Sequence, residues 1–256
     1  MSRRQNTTYL YVREGARPRA DSVPSHRPHL PAPVEPARPV AEQPPVRLVR
    51  PHMSAADFDP RFALFLMPES EAADAYRVVA ERLRTARPGG GRVLVTALGR
   101  ATPRTRTTLN LAAALAEETA LAAVVDLDPG SGALAAAVGV SAFPGLRAQS
   151  EVRERDPRRT VDLLHVAARV GALPLEADGR LPAAGVLTAT LGLLGEVAPW
   201  VLLDAAPLDT ADRALWPALA DGVVVVVAPH ELPTAAQTIR GHLAGLPLLG
   251  VVVAVD

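Results

Sequence analysis

The chain has 256 residues, zero formal net charge and 48% hydrophobic residues, enough for one domain with a real core and no global attraction to nucleic acid or an anionic membrane. It contains no Cys and no Lys, all 27 basic residues being Arg, which excludes disulfides, thiolate and zinc–cysteine chemistry, Schiff bases and any phosphate loop that relies on lysine. Aromatic residues are only 4%, so the core must be built from Ala, Val and Leu.

The first 60 residues hold 11 of the 25 prolines, and residues 1–50 carry nine Arg against four acidic residues. Stretches such as Pro31–Pro33 and Pro44–Pro45 lack apolar periodicity, which predicts a disordered Pro/Arg-rich arm over residues 1–60. Two readings stand for it: a tether that meets an acidic partner or a membrane surface, and a plain disordered extension. Met1, Ser2, Arg3 and Arg4 lead into no apolar stretch, so no signal peptide is expected. No run of about 18 apolar residues occurs, so no membrane span is expected either. A cytoplasmic protein follows from both.

Order is expected from about Ser70, giving a folded domain over residues 70–256. Ser70, Glu71 and Asp74 supply a cap and an acidic first turn, and Ala75, Val78, Val79, Arg82 and Leu83 follow at helical spacing. Pro88, Gly89, Gly90 and Gly91 end that helix. Val93–Thr96 reads as a buried strand, Thr107–Glu118 as a helix, Ala122–Leu127 as a strand and Val161–Val166 as another. Ala183–Val197 is helical with interior glycines. Trp200–Leu203 and Gly222–Ala228 are strands, Thr234–Leu243 a helix, and Leu248–Val255 a last strand. Continuous Val/Leu strands separated by helices predict an α/β fold, a parallel sheet covered on both faces.

Ligands of such sheets bind at the carboxyl ends of the strands. The first strand runs into a loop, Leu98 to Pro103, and then a helix. The second ends in Asp126 and Asp128, and the Trp200 strand ends in Asp204. A strand–loop–helix followed by two strand-end carboxylate sites is the layout of a Mg–nucleotide site. Each group also has a local reading. Asp126 and Asp128 suit a turn before Gly130 and Ser131. Asp204 suits a carboxylate satisfied by nearby N–H groups. Thr105, Thr107 and Thr108 suit helix capping. Arg100, Arg104 and Arg106 suit either an anion grip or a solvated charge cluster. The mixed-charge run from Glu151 to Arg159 suits an exposed loop or helix face.

Residues 71–256 resemble the cytoplasmic P-loop ATPases related to bacterial tyrosine kinases of capsule and exopolysaccharide synthesis, and more distantly the MinD/ParA group. The resemblance rests on the order and spacing of five stretches: Asp74–Arg84, Thr107–Ala112, Val124–Asp128, Trp200–Pro207 and Ala220–Val223. It implies a three-layer P-loop NTPase-like fold. It further implies ATP as ligand, Mg near Thr105, Asp126 and Asp204, and Asp126, Asp128 and Asp204 as catalytic candidates. Assembly through the Asp74–Arg84 helix is implied as well, with Arg77, Arg82 and Arg84 on its basic side.

The sequence departs from that family where phosphate would sit. The phosphate-binding Lys position falls on Arg104, the Gly before it is Pro103, and the other loop positions read Arg100, Ala101 and Thr102. Pro103 has no N–H to turn on a phosphate and a fixed φ, and Arg104 is a planar fork where the bend suits a point charge. Ala254, Val255 and Asp256 replace the Asn after the final strand, and Tyr9, Tyr11 and Tyr76 are the only tyrosines. The expectation is a pseudo-enzyme with no cofactor, or ATP and Mg should the degenerate loop still bind. It would be a regulatory or scaffold subunit beside a membrane-anchored chain-length or export protein or an active kinase paralogue, cytoplasmic or peripheral at the inner membrane. Two alternatives remain: an active ATPase or tyrosine kinase with a rebuilt loop of Arg104 or Arg106, and a ParA/MinD-like positioning factor. No nucleic acid is expected, since the net charge is zero.

Overall fold

Unbroken runs of Val, Leu and Ala form the middle of the sheet because both faces there are covered. A computed structural model describes residues 44–50, 64, 67–100, 103–130, 132–140, 143–209, 213–243 and 245–254. The strands are β1 (Val46–Val49), β2 (Gly91–Ala97), β3 (Ala122–Leu127), β4 (Val161–Ala167), β5 (Val170–Leu173), β6 (Trp200–Ala205), β7 (Gly222–Val227) and β8 (Leu248–Val253). They make one sheet in the order β1-β4-β5-β3-β6-β2-β7-β8. Every residue of β3, β6 and β7 is buried.

The helices are α1 (Glu71–Ala86), α2 (Arg104–Ala116), α3 (Ala133–Ala137), α4 (Leu146–Arg155), α5 (Ala184–Val197), α6 (Trp216–Leu219) and α7 (Leu232–His242). On one face Leu83, Leu109, Leu111, Leu115 and Leu134 of α1–α3 pack on Val93, Val95 and Val124. On the other, Leu146, Leu187, Leu191, Leu194, Trp216 and Ile239 of α4–α7 pack on Leu94, Val125 and Leu203. Fully burying each such side chain contributes about 1.5–3 kcal/mol. The result is the three-layer α/β architecture that the alternation of patterns predicts.

Three features differ from the sequence reading. Val46–Val49 lies inside the segment expected to be disordered, yet it is the edge strand, parallel to β4 with Val46 opposite Val161. Arg47 Nε and Nη2 each donate to the Asp162 carboxylate at 2.8 Å, and Val161 N–H donates to the Pro45 carbonyl at 3.0 Å. Prolines mask such a strand in sequence but are tolerated beside an edge, where half the backbone groups need no partner. The rest of the expected arm, residues 1–43 and 51–60, lies outside the described residues. The second difference is β5, which is antiparallel to β4. The turn between them is Ala168 and Arg169, with Arg169 at φ 64°, so the glycine or asparagine that usually marks a hairpin is missing. The third is α4, a helix that begins at Leu146, where the sequence reading placed no element; of the two readings of the charged run, loop or helix face, it selects the helix face for Glu151 to Arg155.

Helix α1 starts as predicted: the Ser70 hydroxyl accepts the Ala73 N–H at 3.2 Å. Its exit depends on Gly90, at φ +88°, where an added Cβ would lie 2.0 Å from the Pro199 carbonyl oxygen. Gly90→Ala is therefore expected to destabilise the domain by at least about 2 kcal/mol in urea unfolding. Gly89→Ala, whose Cβ meets nothing within 4 Å, serves as the control. Equal midpoints for the two variants would refute the reading of this turn.

Candidate nucleotide site

The parallel register of β3 and β6 sets Asp126 opposite Asp204 at the carboxyl ends of neighbouring strands, as the sequence predicts. The Asp126 and Asp204 side chains are wholly buried, and Asp128 is 7% exposed. Helix α2 begins at Arg104, three residues earlier than expected, and its first turn points into this corner.

The corner is filled by Arg104. Its Nε donates to Asp204 Oδ1 at 2.7 Å and its Nη2 to Asp128 Oδ2 at 2.8 Å, and the side chain is only 6% exposed. Burial alone would lower the guanidinium's affinity for its proton. Asp204, and then Asp128, more than offset this, so its pKa stands above its ordinary value. Arg104 is thus a buried cation paired with two carboxylates, not a solvated charge.

The remaining acceptors are also taken. The Thr105 hydroxyl donates to Asp204 Oδ2 at 2.6 Å, and the Thr108 hydroxyl lies 3.1 Å from Asp204 Oδ1. Asp128 Oδ1 accepts the Gly130 N–H, and Asp126 Oδ1 accepts the Asp128 N–H, both at 3.0 Å. These last two are the local turn bonds that the sequence allowed. The capping reading of the threonines does not hold: Pro103 is the N-cap, without a side-chain cap bond, and Thr107 and Thr108 back-bond to the carbonyls four residues earlier.

One atom is left over. Asp126 Oδ2 is buried without a hydrogen-bond partner. Burial first, then the neighbouring Asp204 charge, push this carboxyl up to about 7, against the lowering effect of the Asp128 N–H. Protonating Asp126 removes one negative charge from a buried cluster in which three carboxyl groups share the single guanidinium of Arg104.

The residues fit a Mg–nucleotide poorly. Among the described residues no group of three or more acidic or His side chains is placed to hold a metal ion. A cation at Asp204 Oδ1 would have to displace Arg104 Nε, and one at Oδ2 the Thr105 hydroxyl. The loop adds a second obstacle, one invisible in the order of residues. A Cβ at Gly99 would lie 2.6 Å from Glu231 Oε1, so the absent side chain makes room for a carboxylate where a phosphate loop presents donors. Glu231 Oε2 accepts the Ala228 N–H at 2.7 Å, fixing it beside β2. Of the other loop residues, Arg100 is exposed and Arg106 half-buried; Ala101 and Thr102 lie outside the described residues, as do Val255 and Asp256.

The basic side expected on the Asp74–Arg84 helix is largely occupied within the chain. Arg77 pairs with Asp74 and Glu117, and Arg84 with Glu81 and Glu118. Arg82 is exposed.

No family model and no curated protein matches the chain. Solved structures do. The chain is similar to the chimerical protein CapA2B2 (18% identity, TM-score 0.62, covering 76% of this chain and 89% of that one). It is also similar to the kinase domain of the Escherichia coli tyrosine kinase ETK (17%, 0.58, 79% and 82%) and to the BceF tyrosine kinase domain (20%, 0.55, 77% and 83%). The sheet with its two helical layers is a P-loop NTPase-like α/β fold. Within that class, its structural neighbours are bacterial tyrosine-kinase domains.

Proposed function

We propose that this chain is a pseudo-enzyme related to the tyrosine autokinases of exopolysaccharide and capsule synthesis, acting as a regulatory or scaffold subunit in polysaccharide synthesis and export. The observation that carries the reading is Arg104: its side chain occupies the space between Asp128 and Asp204 that a metal or phosphate would need. Pro103 removes a backbone donor from the loop, and Glu231 sets a negative charge against it. Losing several donors to a charged oxygen, at about 1.5–3 kcal/mol each, weakens nucleotide binding by orders of magnitude. The fold, with its helical layers intact, remains available as a binding surface.

The partner proposed is a membrane-anchored chain-length or export protein, or an active kinase paralogue, which would hold the chain at the inner membrane. Among the described residues no helix is long and apolar enough to cross a membrane.

A second reading, a working ATPase with a rebuilt loop, is favoured by one observation: the unpartnered Oδ2 of Asp126 beside two further carboxylates. Titration calorimetry with Mg–ATP, run beside a radiolabelled turnover assay, separates the two. The pseudo-enzyme reading expects no heat and no phosphate release. Micromolar binding with turnover that is lost in Asp126→Asn would overturn it in favour of the rebuilt ATPase.

A further inference from the structure

The two edges of the sheet are guarded differently. The β1 edge is four residues long, carries Arg47 tied to Asp162, and is entered through Pro44 and Pro45. Short length, charge and proline are the features that keep a sheet edge from pairing with another chain. The β8 edge is longer and uncharged, although it too is entered through a proline, Pro247. Leu248, Leu249, Gly250, Val251, Val252 and Val253 include no charged residue and no proline, and among the described strands only β7 lies beside them.

The faces of β8 are unequal as well. Leu249 and Val252 pack toward the core shared with α1. A bulge between Val223 and Val224 shifts the register so that Gly250 pairs with Val224 and Val251 with Val225. Val251 and Val253 stand 42% and 44% exposed, and Leu248 44%. Helix α7 packs on β7 and leaves these side chains uncovered.

We propose that two copies of this chain associate edge to edge through β8, antiparallel about a two-fold axis perpendicular to the sheet. Three features favour a second copy over another occupant. An edge free of charge meets its own image without like-charge repulsion. A two-fold contact closes after two subunits, while the guarded β1 edge prevents β8–β1 pairing from growing into an open filament. The axis also keeps equivalent faces on the same side, so Val251 and Val253 of each copy line up as cross-strand neighbours and cover one another. The outward N–H and C=O groups of β8 gain partners at the same time. The contact is small, so the association is weak and depends on concentration.

Sedimentation velocity of the full chain between about 1 and about 200 µM tests this, with an expected monomer–dimer equilibrium of order 10–100 µM. Val251→Lys places a charge on the open face and is expected to raise the dissociation constant at least tenfold without moving the melting temperature. Concentration-dependent hydrogen exchange supplies a readout that needs no variant: the β8 amides gain protection as dimer forms, while those of β1 do not. A chain that stays monomeric throughout the range overturns the proposal. So does a dimer indifferent to Val251→Lys but lost in Arg82→Glu, which would move the contact to α1.

Discussion

Arg104→Ala is expected to lower the stability of the domain by about 3–5 kcal/mol, the usual cost of removing one partner from a buried ion pair. The loss comes less from the bonds themselves than from what remains. Asp204, wholly buried, keeps only the hydroxyls of Thr105 and Thr108, and Asp128 keeps only the Gly130 N–H. Two carboxylates then face each other and Asp126 with no cation among them. At about 2–4 °C per kcal/mol for a domain of this size, the melting temperature falls by roughly 6–20 °C. Arg104→Lys retains charge but presents a single ammonium where the fork spans two carboxylates, so it recovers part of the loss.

A double-mutant cycle with Asp204→Asn isolates the pair. Removing both charges is expected to cost less than the two single losses combined, because neither partner is then left stranded. Adding millimolar Mg²⁺ distinguishes an internal cation from mere packing. It should raise the melting temperature of Arg104→Ala while leaving the unaltered chain unmoved. A drop below about 1 kcal/mol for Arg104→Ala would sink the reading of Arg104 as the cation of this site. Stabilisation of the unaltered chain by Mg²⁺ would show that metal enters with Arg104 in place.

What could be read from the sequence, and what could not, divides by the range of the forces involved. The strands β2, β3, β6 and β7 announce themselves as apolar runs, and strand ends at Asp126 and Asp204 suffice to place the two carboxylates side by side. The composition shift at Pro103 and Arg104 shows that the loop is altered. The destination of the Arg104 side chain is another matter. Its partners lie 24 and 100 residues away, and a basic residue in a run with Arg100 and Arg106 carries no mark of being the buried one. Glu231 is hidden for the same reason: its place against Gly99 exists only because β7 lies beside β2. Strands β1 and β5 escape because four residues give too short a pattern, and each is bordered by residues that ordinarily signal a break, Pro45 for one and Pro174 for the other. The arginines of α1 look like a free basic face in sequence, since nothing local shows that Glu117 and Glu118, at the end of α2, reach across to them.

The buried Asp126 gives the stability of the fold an unusual pH dependence. Its carboxyl is raised from 3.8 to about 7 in the folded chain. Between these values the folded state holds a proton that the unfolded state has released. Stability therefore falls as pH rises from about 4 to about 7, by up to about 1.4 kcal/mol per unit, and levels off above. His165 works in the opposite sense. Burial, and then Arg50, lower its pKa below the ordinary 6.5, so its contribution is lost as pH falls through that region. The measured profile is the sum of the two, and comparison with Asp126→Asn separates them. The amide can keep the oxygen that accepts the Asp128 N–H, and it carries no charge at any pH. Urea unfolding at pH 4, 5, 6, 7 and 8 is expected to find variant and unaltered chain nearly equal at pH 4, with the variant increasingly more stable above it and by a few kcal/mol at pH 8. A difference that stays constant across the series would mean that Asp126 does not change its protonation between the two states. A variant weaker at pH 8 would mean that the ionised carboxylate stabilises the corner, and that Oδ2 serves a cation there after all.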